Sequence, residues 1–91
     1  MIRDRLTKAQ AETIALNGLA FLAARPDDID RFLRNTGIDA AELRTRAADP
    51  DVLRAVLEYI LAGDATTTGF CEEQPLDPRT LHAANFVLST P

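Results

Sequence analysis

Helix start and stop signals recur at short intervals along this 91-residue chain, and they restrict it to short helices. Proline is tolerated in the first turn of a helix, because the amide that it lacks would have no partner there. The dipeptides Asp49-Pro50 and Asp77-Pro78 therefore each predict a helix start, with the aspartate as the N-cap. Gly37 supplies a left-handed residue after an apolar stretch and predicts a helix end.

The complete set of these signals predicts five or six helices joined by short turns. Pro26 predicts that the first helix ends near Ala24, and Asp39 with Glu42 has the spacing of a capping box. The predicted N-caps are Thr7, Asp27 or Asp28, Asp39, Asp49, Asp64 and Asp77. The segment "DATTTGF" is rich in poor helix formers, so the sequence leaves open whether residues 64–73 form a stable helix.

Leucine, isoleucine, valine and alanine must supply most of the core, because the chain has four Phe, one Tyr and no Trp. The predicted fourth helix has one continuous apolar stripe, which consists of Val52, Leu53, Val56, Leu57, Ile60 and Leu61. The first helix is apolar almost all round, as is typical of a helix at the centre of a bundle or at an interface. Its Gly18 lowers helix propensity by about 1 kcal/mol relative to alanine, which indicates a close approach by another helix. The sequence predicts an all-α, compact bundle in a single domain, residues 1–91.

The chain also resembles itself when it is shifted by 38 positions. The aligned pairs include Leu22 and Ile60, Phe32 and Phe70, and Asp39 and Asp77. Both members of each pair have the same predicted place, in the core or at a helix start. The pattern predicts two pseudo-repeated three-helix halves, residues 10–48 and 49–87.

One stretch, "TGIDAAELRTRA", has the order of a helix-turn-helix: a glycine corner, an aspartate cap and a short helix with arginines. In a DNA-binding hypothesis, Arg44 and Arg46 face bases, while Arg31 and Arg34 on the preceding helix contact phosphates. The charge argues against this hypothesis, because the net charge is −4 and residues 25–46 balance five arginines with five carboxylates. The aligned corner "QPLDPRTLHAA" keeps the cap and the leucine but loses most arginines, which favours a structural corner.

Catalytic and metal-binding motifs are absent from the sequence. The chain has one cysteine, Cys71, and one histidine, His82, without the paired spacing of a zinc site. It has no glycine-rich phosphate loop and no nucleophile elbow. We therefore expect a small apolar cysteine and a partly exposed histidine, in a protein that is not an enzyme and holds no cofactor or metal.

The N-terminal segment has basic residues before an apolar run, as signal peptides do, but Asp4, Glu12 and Asn17 interrupt that pattern. No run reaches the roughly 20 apolar residues that a membrane helix requires. A single cysteine excludes an internal disulfide. We expect a soluble, cytoplasmic protein with no membrane partner.

Three stretches, "LAFLAARP", "RFLRNTGIDAAELRTRAADPDVLRAVLEYIL" and "GFCEEQ", resemble a family of small bacterial proteins catalogued as a domain of unknown function. The resemblance covers about residues 9–85, and its most specific part begins at "TGID". It implies a helical cytoplasmic protein and assigns no activity to any residue.

The sequence favours a non-catalytic module for protein–protein interaction or self-association. The contact surface predicted for it is surplus apolar area on the first helix or the threonine-rich edge at residues 64–73. A homodimer is the simplest use of such a surface. A helix-turn-helix-like DNA-binding regulator is the alternative hypothesis.

Overall fold

Six α-helices make up the part of the chain that the computed structural model describes, residues 6–89, and no strand occurs among these residues. The helices are α1 Lys8–Ala23, α2 Pro26–Thr36, α3 Ala40–Thr45, α4 Pro50–Ala62, α5 Asp64–Glu73 and α6 Pro78–Ser89. The all-α prediction is confirmed, and residues 64–73, which the sequence left open, form a helix.

Local side-chain hydrogen bonds start four of the helices as the sequence predicts. Thr7 forms a capping box with Gln10, and the Asp39 carboxylate accepts a 2.8 Å hydrogen bond from the Glu42 amide in a second capping box. Asp49 Oδ1 accepts from the Asp51 amide at 3.0 Å, and Asp77 Oδ1 accepts from the Arg79 amide at 2.9 Å. Gly37 ends α2 with a φ of 75°, in the left-handed region, as predicted.

Two predicted caps are wrong, those of α2 and α5. Arg25 and Gly63 are the N-cap residues, and neither donates or accepts a side-chain capping bond. Because Pro26 fits the first helical position, α2 begins there, and Asp27 and Asp28 lie inside the first turn. Asp64 likewise lies in the first turn of α5, where the helix dipole still favours a negative charge.

Helices α1, α4 and α6 pack against one another at the centre of the fold. The predicted stripe on α4 is buried from Val52 to Ile60, and α6 contributes Leu81, Ala84 and Leu88. Gly18 lies where α1 approaches α4: a Cβ at this position would be 2.9 Å from Ile60 Cδ1 and 3.2 Å from Val56 Cγ1. The close approach predicted from Gly18 is therefore confirmed.

Helix α5 is held by contacts that offset its poor helix propensity. The Phe70 ring packs edge-on against Phe21, with 5.3 Å between the ring centroids. The hydroxyls of Thr66 and Thr67 both donate to the Ile60 carbonyl oxygen, at 2.7 and 2.8 Å. These threonines thus satisfy a carbonyl at the end of α4, where the helix leaves acceptors unpaired.

The predicted internal repeat stays a prediction. The aligned residues Leu22 and Ile60 are both fully buried, as are Phe32 and Phe70. The third helices of the two halves differ in length, since α3 has six residues and α6 has twelve.

The close contact at Gly18 predicts that a larger side chain at this position lowers the stability of the fold. Gly18→Leu places a side chain where Val56 and Ile60 already fill the space, so we expect the free energy of unfolding to fall by about 2–3 kcal/mol. Denaturant unfolding followed by circular dichroism measures the change. Ala20→Leu is the matched control, because Ala20 is exposed on the same helix. Equal stability of the two variants would contradict the role assigned to Gly18.

Candidate functional site

An apolar groove lies between α1, α2 and α3, with a volume of about 350 Å³. Its lining residues are Leu19 and Ala23 from α1, Ile29 and Leu33 from α2, Ala40, Leu43 and Arg44 from α3, and Ala47. We call this feature the apolar groove. Its four large aliphatic side chains pack against the core on one side and remain partly exposed on the other.

The groove exists because α3 covers its neighbours incompletely. A helix of six residues is about 9 Å long, and α3 buries no residue fully. The alanines at positions 23, 40 and 47 are too small to fill the space between the helices. Water therefore contacts apolar side chains in the groove. A partner that covered them would stabilise the complex by about 25 cal/mol for each Å² of apolar surface removed from water.

The four arginines of the DNA-binding hypothesis divide into two pairs. Arg46 is engaged by Glu42, with 3.6 Å between Nη1 and Oε2, and by Asp49, with 3.2 Å between Nη2 and Oδ2. Arg31 Nη1 lies 3.9 Å from Asp28 Oδ1.

The other two, Arg34 and Arg44, are exposed and form no ion pair within residues 6–89. Arg44 lines the apolar groove. The structure therefore does not bring the four arginines into one set of unpaired cations.

A polar cleft of about 330 Å³ lies on another side of α2. The Asp28 carboxylate, largely shielded from solvent, accepts from the Tyr59 hydroxyl at 3.0 Å and from Arg25 Nε at 3.1 Å. Arg25 in turn stacks over the Phe21 ring at 4.7 Å from its centroid. Burial and the neighbouring Asp28 carboxylate raise the pKa of Tyr59 above its ordinary value.

The contacts in this cleft join two helices. Asp28 connects α2 to α4, and the Phe32 and Tyr59 rings meet edge-on beside it at 6.0 Å. A neutral phenol with a raised pKa is a hydrogen-bond donor and a poor base or nucleophile. Sequence reasoning missed this connection, because its partners are separated by 31 positions and no local pattern joins Asp28 to Tyr59.

The two reactive residue types singled out from the sequence lie on different helices. Cys71 on α5 is half-buried and packs against the core, while His82 on α6 is exposed. Burial, with a smaller contribution from Asp77, raises the pKa of the Cys71 thiol and so disfavours the reactive thiolate. Residues 6–89 contain no group of three or more His, Cys, Asp or Glu placed to hold a metal ion.

Among residues 6–89, two large apolar side chains are exposed, Leu16 at 41% and Phe86 at 70% of their full accessible area. Leu16 is on α1, where the sequence predicts surplus apolar surface. Sequence reasoning missed Phe86, although a signal was present: the α6 stripe of Leu81, Ala84 and Leu88 excludes position 86 from the buried face. Within the described residues, no helix is both long enough and apolar enough to cross a membrane.

The link between Asp28 and Tyr59 predicts a pH-dependent stability. Because the folded protein raises the pKa of Tyr59 above 10.0, it holds the phenolic proton more tightly than the unfolded chain does. This contribution is present below pH 10 and is lost as the pH rises through the folded-state pKa.

We therefore expect wild-type stability to fall more steeply above pH 10 than that of Tyr59→Phe. At neutral pH the substitution costs about 1 kcal/mol for the lost hydrogen bond. Denaturant unfolding across this pH range tests both effects, and the alkaline contribution of Cys71 is common to the two proteins and cancels. Parallel pH profiles would contradict the prediction.

Comparison with known proteins gives one family match. The match covers residues 8–91, nearly the whole chain, and the family is described as "Protein of unknown function (DUF3572)". No curated protein and no solved structure gives a match. The uncharacterised-family resemblance found in the sequence is confirmed, and this chain belongs to the DUF3572 family.

Proposed function

We propose that this protein is a non-catalytic interaction module that self-associates through the apolar groove. The observation that carries the proposal is the groove itself, in which Leu19, Ile29, Leu33 and Leu43 are only half-buried. Concave apolar surface of this kind is the usual place at which a folded protein receives an apolar side chain of a partner.

Helix α1, on which the sequence predicts surplus apolar area, forms part of the edge of the groove. Leu19 and Ala23 lie at the edge of the buried face of α1 that contains Ala11, Ala15 and Gly18, and Leu19 packs partly against the core. An apolar helix with no remaining neighbour on one side is stabilised when a second molecule covers that side.

A second copy of the chain is the occupant that the charges favour. Arg44, which lines the groove, and Arg34 on α2 have no ion-pair partner among the described residues. Residues 47–91 carry seven acidic and two basic residues, and Glu72 and Glu73 on α5 are exposed. Each copy thus offers carboxylates that complement the unpaired arginines of another copy.

The states of the Cys71 thiol and the Tyr59 phenol support a non-catalytic role. The thiol of Cys71 is shifted toward its protonated form, and the phenol of Tyr59 is hydrogen-bonded to Asp28. A reducing compartment such as the cytoplasm suits a chain whose one cysteine is an unpaired, half-buried thiol.

The self-association proposal is tested with two glutamate substitutions on α1. Ala23→Glu places a carboxylate in the groove, whereas Ala20→Glu places one on an exposed part of the same helix outside it. Because the new side chain fills part of the groove and its carboxylate loses water when a partner covers it, we expect Ala23→Glu to weaken self-association at least about tenfold.

Sedimentation equilibrium from about 1 to 100 µM, a range that covers micromolar dissociation constants, measures the effect. The matched Ala20→Glu protein is expected to associate as the wild type does. A wild type that stays monomeric throughout would overturn the proposal, and so would equal association of all three proteins.

The alternative, a DNA-binding regulator, draws its support from Arg34 and Arg44, which are exposed and unpaired. It predicts that the protein binds duplex DNA with an affinity that falls as salt rises. The double variant Arg34→Ala, Arg44→Ala would lose that binding, while Arg54→Ala on α4 would keep it. An electrophoretic mobility shift at low salt is the measurement, and no shift by the wild type would end this hypothesis.

A further inference from the structure

We infer that Phe86 of a second copy fills the apolar groove, and that two copies exchange this side chain reciprocally. The inference rests on the proposed self-association and names the group that makes the contact. It joins the most exposed large apolar side chain of the described residues to a concave apolar surface on the same chain.

The exposure of Phe86 sets it apart from the other aromatic side chains. Phe32 and Phe70 are fully buried and Phe21 is 4% exposed, whereas Phe86 is 70% exposed. It lies on the side of α6 opposite the buried stripe, so no movement within that helix covers it. Transfer of such an exposed phenylalanine ring from water into an apolar site lowers the free energy.

The groove has the chemistry to receive an aromatic ring. Aliphatic side chains from α1, α2 and α3 line it on three sides, and Arg44 contributes a guanidinium group. A cation close to the face of an aromatic ring is attracted by the ring electrons. The same chain already uses this contact, since the Arg25 guanidinium stacks over the Phe21 ring at 4.7 Å.

Arg44 is available for such a contact. It is exposed and forms no ion pair in the part of the chain that the structure describes. The sequence of α6, "PRTLHAANFVLS", contains no carboxylate. No carboxylate of α6 therefore competes with the Phe86 ring for Arg44.

Reciprocal exchange gives a closed dimer, because each copy has one groove and one Phe86. Two identical contacts related by a two-fold axis satisfy both surfaces and leave none for a third copy. One-way exchange would instead build an open chain that lengthens with concentration. A mass that stops at twice that of the monomer agrees with the inference, and continued growth overturns the reciprocal arrangement.

The first test replaces Phe86 and, separately, the other exposed apolar side chain. Phe86→Ser removes the ring at an exposed position, so we expect an unchanged fold and self-association at least about tenfold weaker. Leu16→Ser is the matched control: Leu16 is exposed but does not line the groove, so this variant is expected to associate as the wild type does. Circular dichroism verifies that each variant is folded, and sedimentation equilibrium measures the association.

A mixing experiment tests whether Phe86 and the groove contact each other. The Ala23→Glu protein keeps Phe86 and has a damaged groove, whereas the Phe86→Ser protein keeps the groove and lacks the ring. Each protein alone is expected to be mainly monomeric. A mixture of the two restores one intact contact, so we expect a heterodimer that is weaker than the wild-type dimer. No heterodimer in the mixture would overturn the pairing of these two surfaces.

A tryptophan at position 86 gives a direct signal. The chain has no native tryptophan, so Phe86→Trp carries a single fluorophore. Its emission is expected to shift to shorter wavelength as protein concentration rises, and to show no such shift in an Ala23→Glu background. An emission maximum independent of concentration in an associating protein would overturn the inference.

The outcomes separate this inference from the proposed function. Loss of association in Ala23→Glu with wild-type association in Phe86→Ser would overturn the role of Phe86 and leave the groove as the contact surface. A wild type that is monomeric over the whole concentration range would overturn both.

Discussion

The close approach of α1 to α4 at Gly18 is the contact on which the arrangement of the other helices depends. Because position 18 has no side chain, Ile60 and Val56 lie directly against the α1 backbone, and Phe70 of α5 reaches the same point. The glycine costs about 1 kcal/mol of helix propensity. That cost is offset by close packing among fully buried side chains, whose contacts would be lost if the helices stood further apart.

Helices α2 and α3 are attached more loosely than the central helices, and this difference creates the candidate site. Phe32 anchors α2 in the core, and Asp28 connects it to Tyr59 on α4. Helix α3 has six residues, and its Leu43 only partly closes the space beside α1 and α2. The apolar groove is therefore a consequence of helix length, because a short helix cannot cover the full apolar sides of two longer neighbours.

Some charged side chains on this surface are held by contacts within the chain, whereas others have no partner among residues 6–89. Arg46 is held between Glu42 and Asp49, and the carboxylates of Asp39, Asp49 and Asp77 accept hydrogen bonds from backbone amides at helix starts. Arg44 has no such partner and borders apolar side chains. Membership of the DUF3572 family supplies no activity, so the physical properties of this surface carry the functional argument.

The sequence predicted those parts of the site that depend on patterns within a single helix or turn. Periodicity marked the surplus apolar surface of α1, and the glycine corner and Asp39 cap marked the start of α3. The same periodicity excludes Phe86 from the buried face of α6. The groove itself was not predictable, because it depends on the distance between α1, α2 and α3, and no local pattern contains that distance.

The sequence by itself determined where α1, α3, α4 and α6 begin, because caps and prolines act on backbone groups within about four residues. The sequence wrongly predicted Asp27 or Asp28 as the cap of α2 and Asp64 as the cap of α5, because α2 begins at Pro26 and Gly63 is the N-cap of α5. Only the tertiary structure decided that Asp28 bonds to Tyr59, 31 positions away. It also decided that α3 leaves a groove open, since both features require helices that are distant in sequence to lie side by side.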